Sequence, residues 1–188
     1  MLVLTKEELT EEIILQAVDN SDIFIYPTDT IYGIGCDATD EQAVKKLRET
    51  KKLPKDKPLS IIAPSKNWIY ENCELTSKAE EWIEKLPGPY TLILKLKNSE
   101  AIAKGVTFNN TIGIRIPDHW ISDLTNDLGI PIITTSANVS GETYMHNLED
   151  LNDELRKACK FIVFEGEKKG SASTIVHLEV DELKIRKR

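Results

Sequence analysis

The sequence predicts an α/β fold: one domain over residues 1–188, built on a mixed parallel and antiparallel sheet with flanking helices. Three observations carry this. Short apolar, β-rich runs alternate with helical periodicities for most of the length. The connection from Lys97 to Thr111 shows no helical period, so part of the sheet is expected to be antiparallel. No repeat, low-complexity segment or linker rich in Gly, Ser or Pro divides the 188 residues.

The elements follow in order. Thr5 with Glu8 reads as a capping box ahead of Leu9, Ile13, Ile14, Ala17 and Val18, which predicts a helix from about Lys6 to Asn20. Asp22 to Tyr26 is a buried strand stopped by Pro27, and it empties into the polar run Thr28-Asp29-Thr30. Thr39 with Gln42 reads as a second capping box, opening a helix that Ala43, Val44 and Leu47 continue. Further strands are expected at Leu59 to Ala63, Tyr90 to Lys97, Thr111 to Ile116, Ile130 to Thr135, Phe161 to Phe164 and Thr174 to His177. Helices are expected at Ser77 to Leu86, His119 to Leu128 and Leu148 to Ala158.

A chain of this size with 40% apolar residues can bury about 70% of its unfolded surface around one core. Its formal charge of −7 argues against a general nucleic-acid coat, whose phosphate contacts need a basic surface. The exception is Lys45 to Lys57, where seven basic residues face two acidic ones, a net +5 that leaves −12 for the rest. Lys45, Lys46 and Arg48 read as the solvated face of a helix. Lys51 to Lys57 reads as a flexible cationic loop, because Pro54 and Pro58 exclude a helix, and such a loop beside a strand end suits a phosphate. No run reaches the roughly 20 apolar residues of a membrane helix, and the N-terminus lacks a signal-peptide pattern, so the expected setting is cytoplasmic with no membrane partner. Cys36, Cys73 and Cys159 are odd in number and widely spaced, which fits buried thiols better than a disulfide framework or a zinc site.

Four clusters of small polar residues follow on apolar strands: Thr28 to Thr30 with Tyr32 to Gly35, Thr111 to Arg115, Thr134 to Asn138, and Ser171 to Thr174. Each alone is ordinary turn chemistry. Together, at strand ends where open α/β sheets bind ligands, they suit an anion with several oxygens, such as a nucleoside triphosphate. Arg115 sits among Ile112, Ile114 and Ile116, where an unpaired guanidinium is costly; either Asp29 or a substrate carboxylate is its expected partner. Walker, dinucleotide-binding, zincin and nucleophile-elbow motifs are absent, and His119, His146 and His177 stand in no triad-like spacing. An enzyme of this composition would act by positioning and charge stabilisation.

The strings YPTDTIYGIGCDA, KKLPKDKPLS, PGPYTLIL, TIGIRIP, TTSANVSG and STIV, collinear from about Asp22 to Val176, resemble the YrdC/TsaC family of threonylcarbamoyl-AMP synthases. The resemblance implies a large concave, positively lined cavity. It implies formation of threonylcarbamoyl-AMP and pyrophosphate from L-threonine, bicarbonate and ATP, with Mg2+ accompanying the ATP and no organic cofactor. A partner transferase would pass the threonylcarbamoyl group to the adenosine next to the anticodon of certain tRNAs; apart from the resemblance, the charge of −12 outside the basic stretch predicts that any contact with tRNA or other RNA is weak. Position by position, Thr30, Arg115 and Thr134 match the L-threonine site, with Arg115 on the carboxylate. Lys51 matches the K-x-R motif, and Ser136 and Asn138 match S-x-N; these three are the expected catalytic groups at ATP. Lys57, Thr111, Tyr144 and Arg186 fall where other ATP contacts are expected. Leu53 stands where K-x-R has its arginine. That departure keeps open a diverged YciO-like paralogue, or an RNA- or nucleotide-binding module without synthase activity. With the sequence ending at Arg188, the extra C-terminal domain of longer members is not expected.

Overall fold

The structure, a computed structural model, describes residues 1–180 and 182–187. Its strands are Leu2–Leu4 (β1), Phe24–Tyr26 (β2), Gly33–Gly35 (β3), Ser60–Ile62 (β4), Cys73–Glu74 (β5), Tyr90–Leu96 (β6), Thr111–Arg115 (β7), Ile132–Ser136 (β8), Phe161–Val163 (β9), Thr174–His177 (β10) and Lys184–Arg186 (β11). They form one sheet ordered β1-β9-β2-β3-β8-β4-β7-β6-β10-β11, and β5 pairs with β6 beside that path. The sheet is mixed, as expected: β4 runs parallel to β7, whereas β6 and β7, joined by the stretch without helical period, are antiparallel. The helices are Glu11–Asp19 (α1), Glu41–Thr50 (α2), Lys66–Asn72 (α3), Ser77–Ile83 (α4), Trp120–Leu128 (α5) and Asp153–Ala158 (α6).

Register divides the sheet into two unlike faces. Ile25 pairs with Ile34, Ile61 with both Ile114 and Ile133, and Leu92 with Ile114, so these side chains share a face. They pack with Ala43, Val44 and Leu47 of α2, Ile69 of α3, Ala79 and Ile83 of α4 and Leu155 of α6 in the main core. The neighbouring positions point the other way. At the β9-β2 side that second face is apolar, and Phe24, Tyr26, Ile62, Ile132 and Phe161 form a smaller core with Ile14 and Ala17 of α1 and Ile121 of α5. Toward β7 and β6 the same face carries Gly33, Ser136, Thr134, Ser60, Gly113, Arg115 and Thr91 instead.

Several expectations need correction. The first helix begins at Glu11, because Thr10 is its N-cap and accepts a hydrogen bond from the Ile13 amide. The Thr5 amide does donate to the Glu8 carboxylate, but this closes a single turn after β1. β1 itself escapes local reading because only pairing with β9 makes Leu2–Leu4 a strand. The cap of α2 is Asp40, while Thr39 donates from its amide and hydroxyl to Asp37. Gly33–Gly35 is a strand despite its glycines, since a Cβ at Gly35 would lie 1.9 Å from the Ile133 carbonyl oxygen. The expected helix from Leu148 to Ala158 is a 3-10 turn, Leu148–Asp150, followed by α6, and α3, β5 and β11 had not been foreseen. Cys36, Cys73 and Cys159 are free and buried, as expected.

Candidate functional site

The polar half of the second face is the floor of a cavity of about 350 Å³. Its wall takes residues from all four polar clusters: Thr28, Arg115, Thr134 to Ser136, and Ala172 with Ser173, although Thr111 to Arg115 is β7 itself and Ser171 to Ser173 lead into β10 rather than following a strand as expected. Lys57, Tyr144, Tyr32, Ser60 and Thr91 complete its polar surface, and among the described residues no carboxylate stands on the wall. Small residues leave this volume open. A Cβ at Gly113 would lie 2.4 Å from Ser60 Oγ and 3.2 Å from Thr91 Cγ2.

The loop between β2 and β3 is held by Thr28, whose hydroxyl donates to the Ile31 carbonyl at 2.7 Å and accepts from the Thr30 and Ile31 amides. This turn aims Asp29 at β7. One Asp29 carboxylate oxygen accepts from Arg115 at 2.6 Å, and the other accepts from the Asp118 amide at 3.2 Å. Arg115 also donates to Thr30 Oγ1 at 3.2 Å. The partner left open by the sequence is thus Asp29, with the pair 8% and 11% exposed. The guanidinium nevertheless borders the cavity, and its Nε is buried with no hydrogen-bond partner among the described residues. Burial weakens the Arg115 guanidinium's hold on its proton, and the Asp29 charge opposes that. Paired yet incompletely satisfied, Arg115 retains capacity for a carboxylate or phosphate oxygen.

Ser136, at the end of β8, donates its hydroxyl to Asn138 Oδ1 at 2.6 Å, and Asn138 Nδ2 donates to the Glu142 carbonyl. Beneath them lies Lys51. It is not part of a flexible loop, as expected from the sequence, but the buried C-cap of α2. Its ammonium donates to the carbonyls of Ser136 and Asn138, both at 2.5 Å, and to Asn138 Oδ1 at 3.2 Å, while its own carbonyl accepts from the Ser140 amide. Burial first, and the Lys57 charge second, push Lys51 down to about 7.

The basic segment also departs from expectation. Lys52 turns outward to Glu154 at 2.7 Å, and Leu53 packs against the main core. Arg48 is not merely solvated: its guanidinium reaches the carbonyls of Pro54, Lys55, Lys57 and Gly105.

Of the ten residues singled out from the sequence, Lys57, Arg115, Thr134, Ser136 and Tyr144 stand on the cavity wall. Thr30, Lys51 and Asn138 lie one contact behind it, bonded to Arg115 or to the Ser136 loop. Thr111 is at the opposite end of β7 from Arg115, donating to Asn109 Oδ1, and Arg186 is exposed on β11 at the sheet edge. Ser60 and Thr91 are wall residues that sequence reasoning misses; the readable signal is a lone hydroxyl at the start of an apolar strand run.

A second cavity, about 470 Å³, lies between α3 and α5. Asp118, Asp123, Lys66, His119, Trp120 and three prolines line it, and its two carboxylates outnumber its single lysine, which disfavours a polyphosphate. The smaller, hydroxyl-lined cavity is therefore the candidate site. Among the described residues no group of three His, Cys, Asp or Glu could hold a metal ion, and no helix is long and apolar enough to cross a membrane.

Residues 16–188 match the Sua5/YciO/YrdC family model, described as telomere recombination. A threonylcarbamoyl-AMP synthase of Vibrio vulnificus is 31% identical over 156 residues, covering 80% of this chain and 83% of the relative. A Methanocaldococcus jannaschii protein is 37% identical over 177 residues, covering 92% and 82%. A solved structure described as "P. abyssi Sua5 complexed with L-threonine" superposes with a TM-score of 0.85 at 28% identity. That superposition covers 98% of this chain, which spans 56% of the Sua5 chain's length.

Proposed function

The chain belongs to the Sua5/YciO/YrdC family, and on that premise we propose that it is a threonylcarbamoyl-AMP synthase, converting L-threonine, bicarbonate and ATP into threonylcarbamoyl-AMP and pyrophosphate. The observation that carries this reading is the convergence of three hydroxyl-bearing clusters with Arg115 and Lys57 on one cavity that has no carboxylate on its wall among the described residues. Relatives named for the same activity, and a solved relative holding L-threonine, support it.

In this reading the amino-acid carboxylate meets Arg115 beside Thr30 and Thr134. The triphosphate lies along Ser136 and Lys57 toward Tyr144, with Thr111 and Arg186 as outlying ATP contacts. The threonine nitrogen attacks bicarbonate carbon with loss of water, and the resulting carbamate oxygen displaces pyrophosphate from the α-phosphorus. Proximity and fixed dipoles supply the acceleration. Ser136 offers its hydroxyl, while Lys51 and Asn138 hold the loop that presents it. Mg2+ would arrive as part of the ATP substrate, since among the described residues the wall has no carboxylate to hold it. It supplies charge neutralisation on the phosphates.

The proposal extends to the whole chain as one YrdC-like domain, working in the cytoplasm where its substrates lie. The product would pass to a tRNA threonylcarbamoyl transferase, with at most a weak RNA contact given the net charge of −7. The test is pyrophosphate release from ATP, Mg2+ and bicarbonate with and without L-threonine. Release that depends on threonine is expected; tight tRNA binding without nucleotide binding would favour an RNA-binding module instead.

A further inference from the structure

The segment after α2 has little means of ordering itself. Pro54 and Pro58 bring no amide donors, and the backbone bond inside the 54–57 turn is Lys57 N to the Pro54 carbonyl at 3.2 Å. Three carbonyls of that turn nevertheless converge with that of Gly105 on one side chain. Arg48 NH1 donates to the Lys57 and Gly105 carbonyls at 2.8 and 3.0 Å, and NH2 donates to those of Pro54 and Lys55 at 2.5 and 2.9 Å. Phe108, 52% exposed, lies against the guanidinium at 5.0 Å. Gly105 has a φ of +90°, which suits the close passage of its loop over Arg48. The Leu59 amide bonds to the Val106 carbonyl, so the two loops are tied on either side of this residue.

The consequence falls on Lys57. Among the basic residues of the stretch, Lys51 is spent beneath the Ser136 loop and Lys52 is paired with Glu154. Lys57 alone of them is on the cavity wall, next to Pro58 and Ser60. Arg48 itself cannot grip a phosphate bidentately, because all four of its terminal N–H groups are used by backbone carbonyls.

We propose that Arg48 is a positioning residue: by cross-linking the carbonyls of the 54–57 turn to Gly105, it fixes Lys57 at the cavity mouth for the phosphates of ATP. This rests on the nucleotide reading above. A lysine at position 48 keeps the charge but loses the planar fork that four carbonyls require.

The experiment measures ATP binding by calorimetry, and tryptic cleavage after Lys55, for the full chain and for Arg48→Lys, Lys57→Ala and the double variant. Arg48→Lys is expected to weaken ATP binding about tenfold and to speed cleavage after Lys55 by a similar factor, with its thermal midpoint little changed. In the Lys57→Ala background the same substitution is expected to weaken ATP binding no further, because its effect runs through Lys57. Phe108→Ala, which keeps every hydrogen bond and removes the ring contact, should weaken ATP binding about threefold, and serves if Arg48→Lys does not fold. An Arg48→Lys protein with wild-type ATP affinity, or losses that add in the double variant, overturns the role of Arg48. A wild type that binds no ATP overturns the nucleotide reading beneath it.

Discussion

Ile114 and Arg115 are adjacent on β7 yet belong to different regimes. Ile114 faces the main core with Ile61 and Leu92, and Arg115 faces the cavity with Asp29 and Thr30. The same alternation holds on β4, where Ile61 is core and Ser60 is cavity wall, and on β8, where Ile133 is core and Thr134 is wall. One face of the sheet is filled with branched apolar side chains, each worth about 1.5–3 kcal/mol on burial. The other is kept small and polar toward β7 and β6, and the apolar face supplies stability that the cavity face does not. A one-residue slip of register would exchange the two.

The largest expected contrast is between neighbours on β7. Ile114→Asp places a carboxylate in the main core and should destabilise the protein by about 5 kcal/mol or more, leaving it unfolded by circular dichroism. Arg115→Ala is the sharper case. It should abolish turnover, but it also leaves Asp29 buried without its counter-charge, at a cost of about 3 kcal/mol in chemical denaturation. A cavity-face residue that is silent for stability must lack such a partner.

Leu53→Arg tests whether the departure from the family motif matters. Leu53 packs against the core, so the substitution should cost about 1–2 kcal/mol. Turnover should already be present in the wild type, with Lys57 as the cation at the cavity mouth. Activity in the variant alone would mark a paralogue with another task.

Lys51 gives a pH signature. It lies at about 7 rather than its ordinary 10.5, chiefly through burial, so between those values the unfolded chain binds more protons than the folded one. Its contribution to stability therefore rises with pH across that window. The difference in denaturation midpoint between wild type and Lys51→Met should grow in the wild type's favour from pH 7 to pH 9. The smallest effect on the fold belongs to Ser136→Ala, which loses the hydroxyl's bond to Asn138 and should cost about 1 kcal/mol while turnover drops about a hundredfold.

Much of this division is legible in the sequence because it is written in alternation. TIGIRIP spells both faces of β7, and the apolar runs before Thr28 and Ser136 locate the ends of β2 and β8. What the sequence hides is long-range. Asp29 is 86 residues from Arg115, and Ser136 is 85 from Lys51, so neither partnership has a local signal. β1 depends on β9, and Gly33–Gly35 is a strand only because β2 and β8 flank it. Arg48 reads as a solvated helix residue because its four acceptors are backbone carbonyls, which no side-chain pattern reveals.

The most direct test is a crystal structure with L-threonine and a nonhydrolysable ATP analogue. The amino-acid carboxylate is predicted on Arg115 and the phosphates against Ser136 and Lys57, all on the small-residue face of the sheet. Ligands bound instead in the acidic cavity between α3 and α5 would contradict the account.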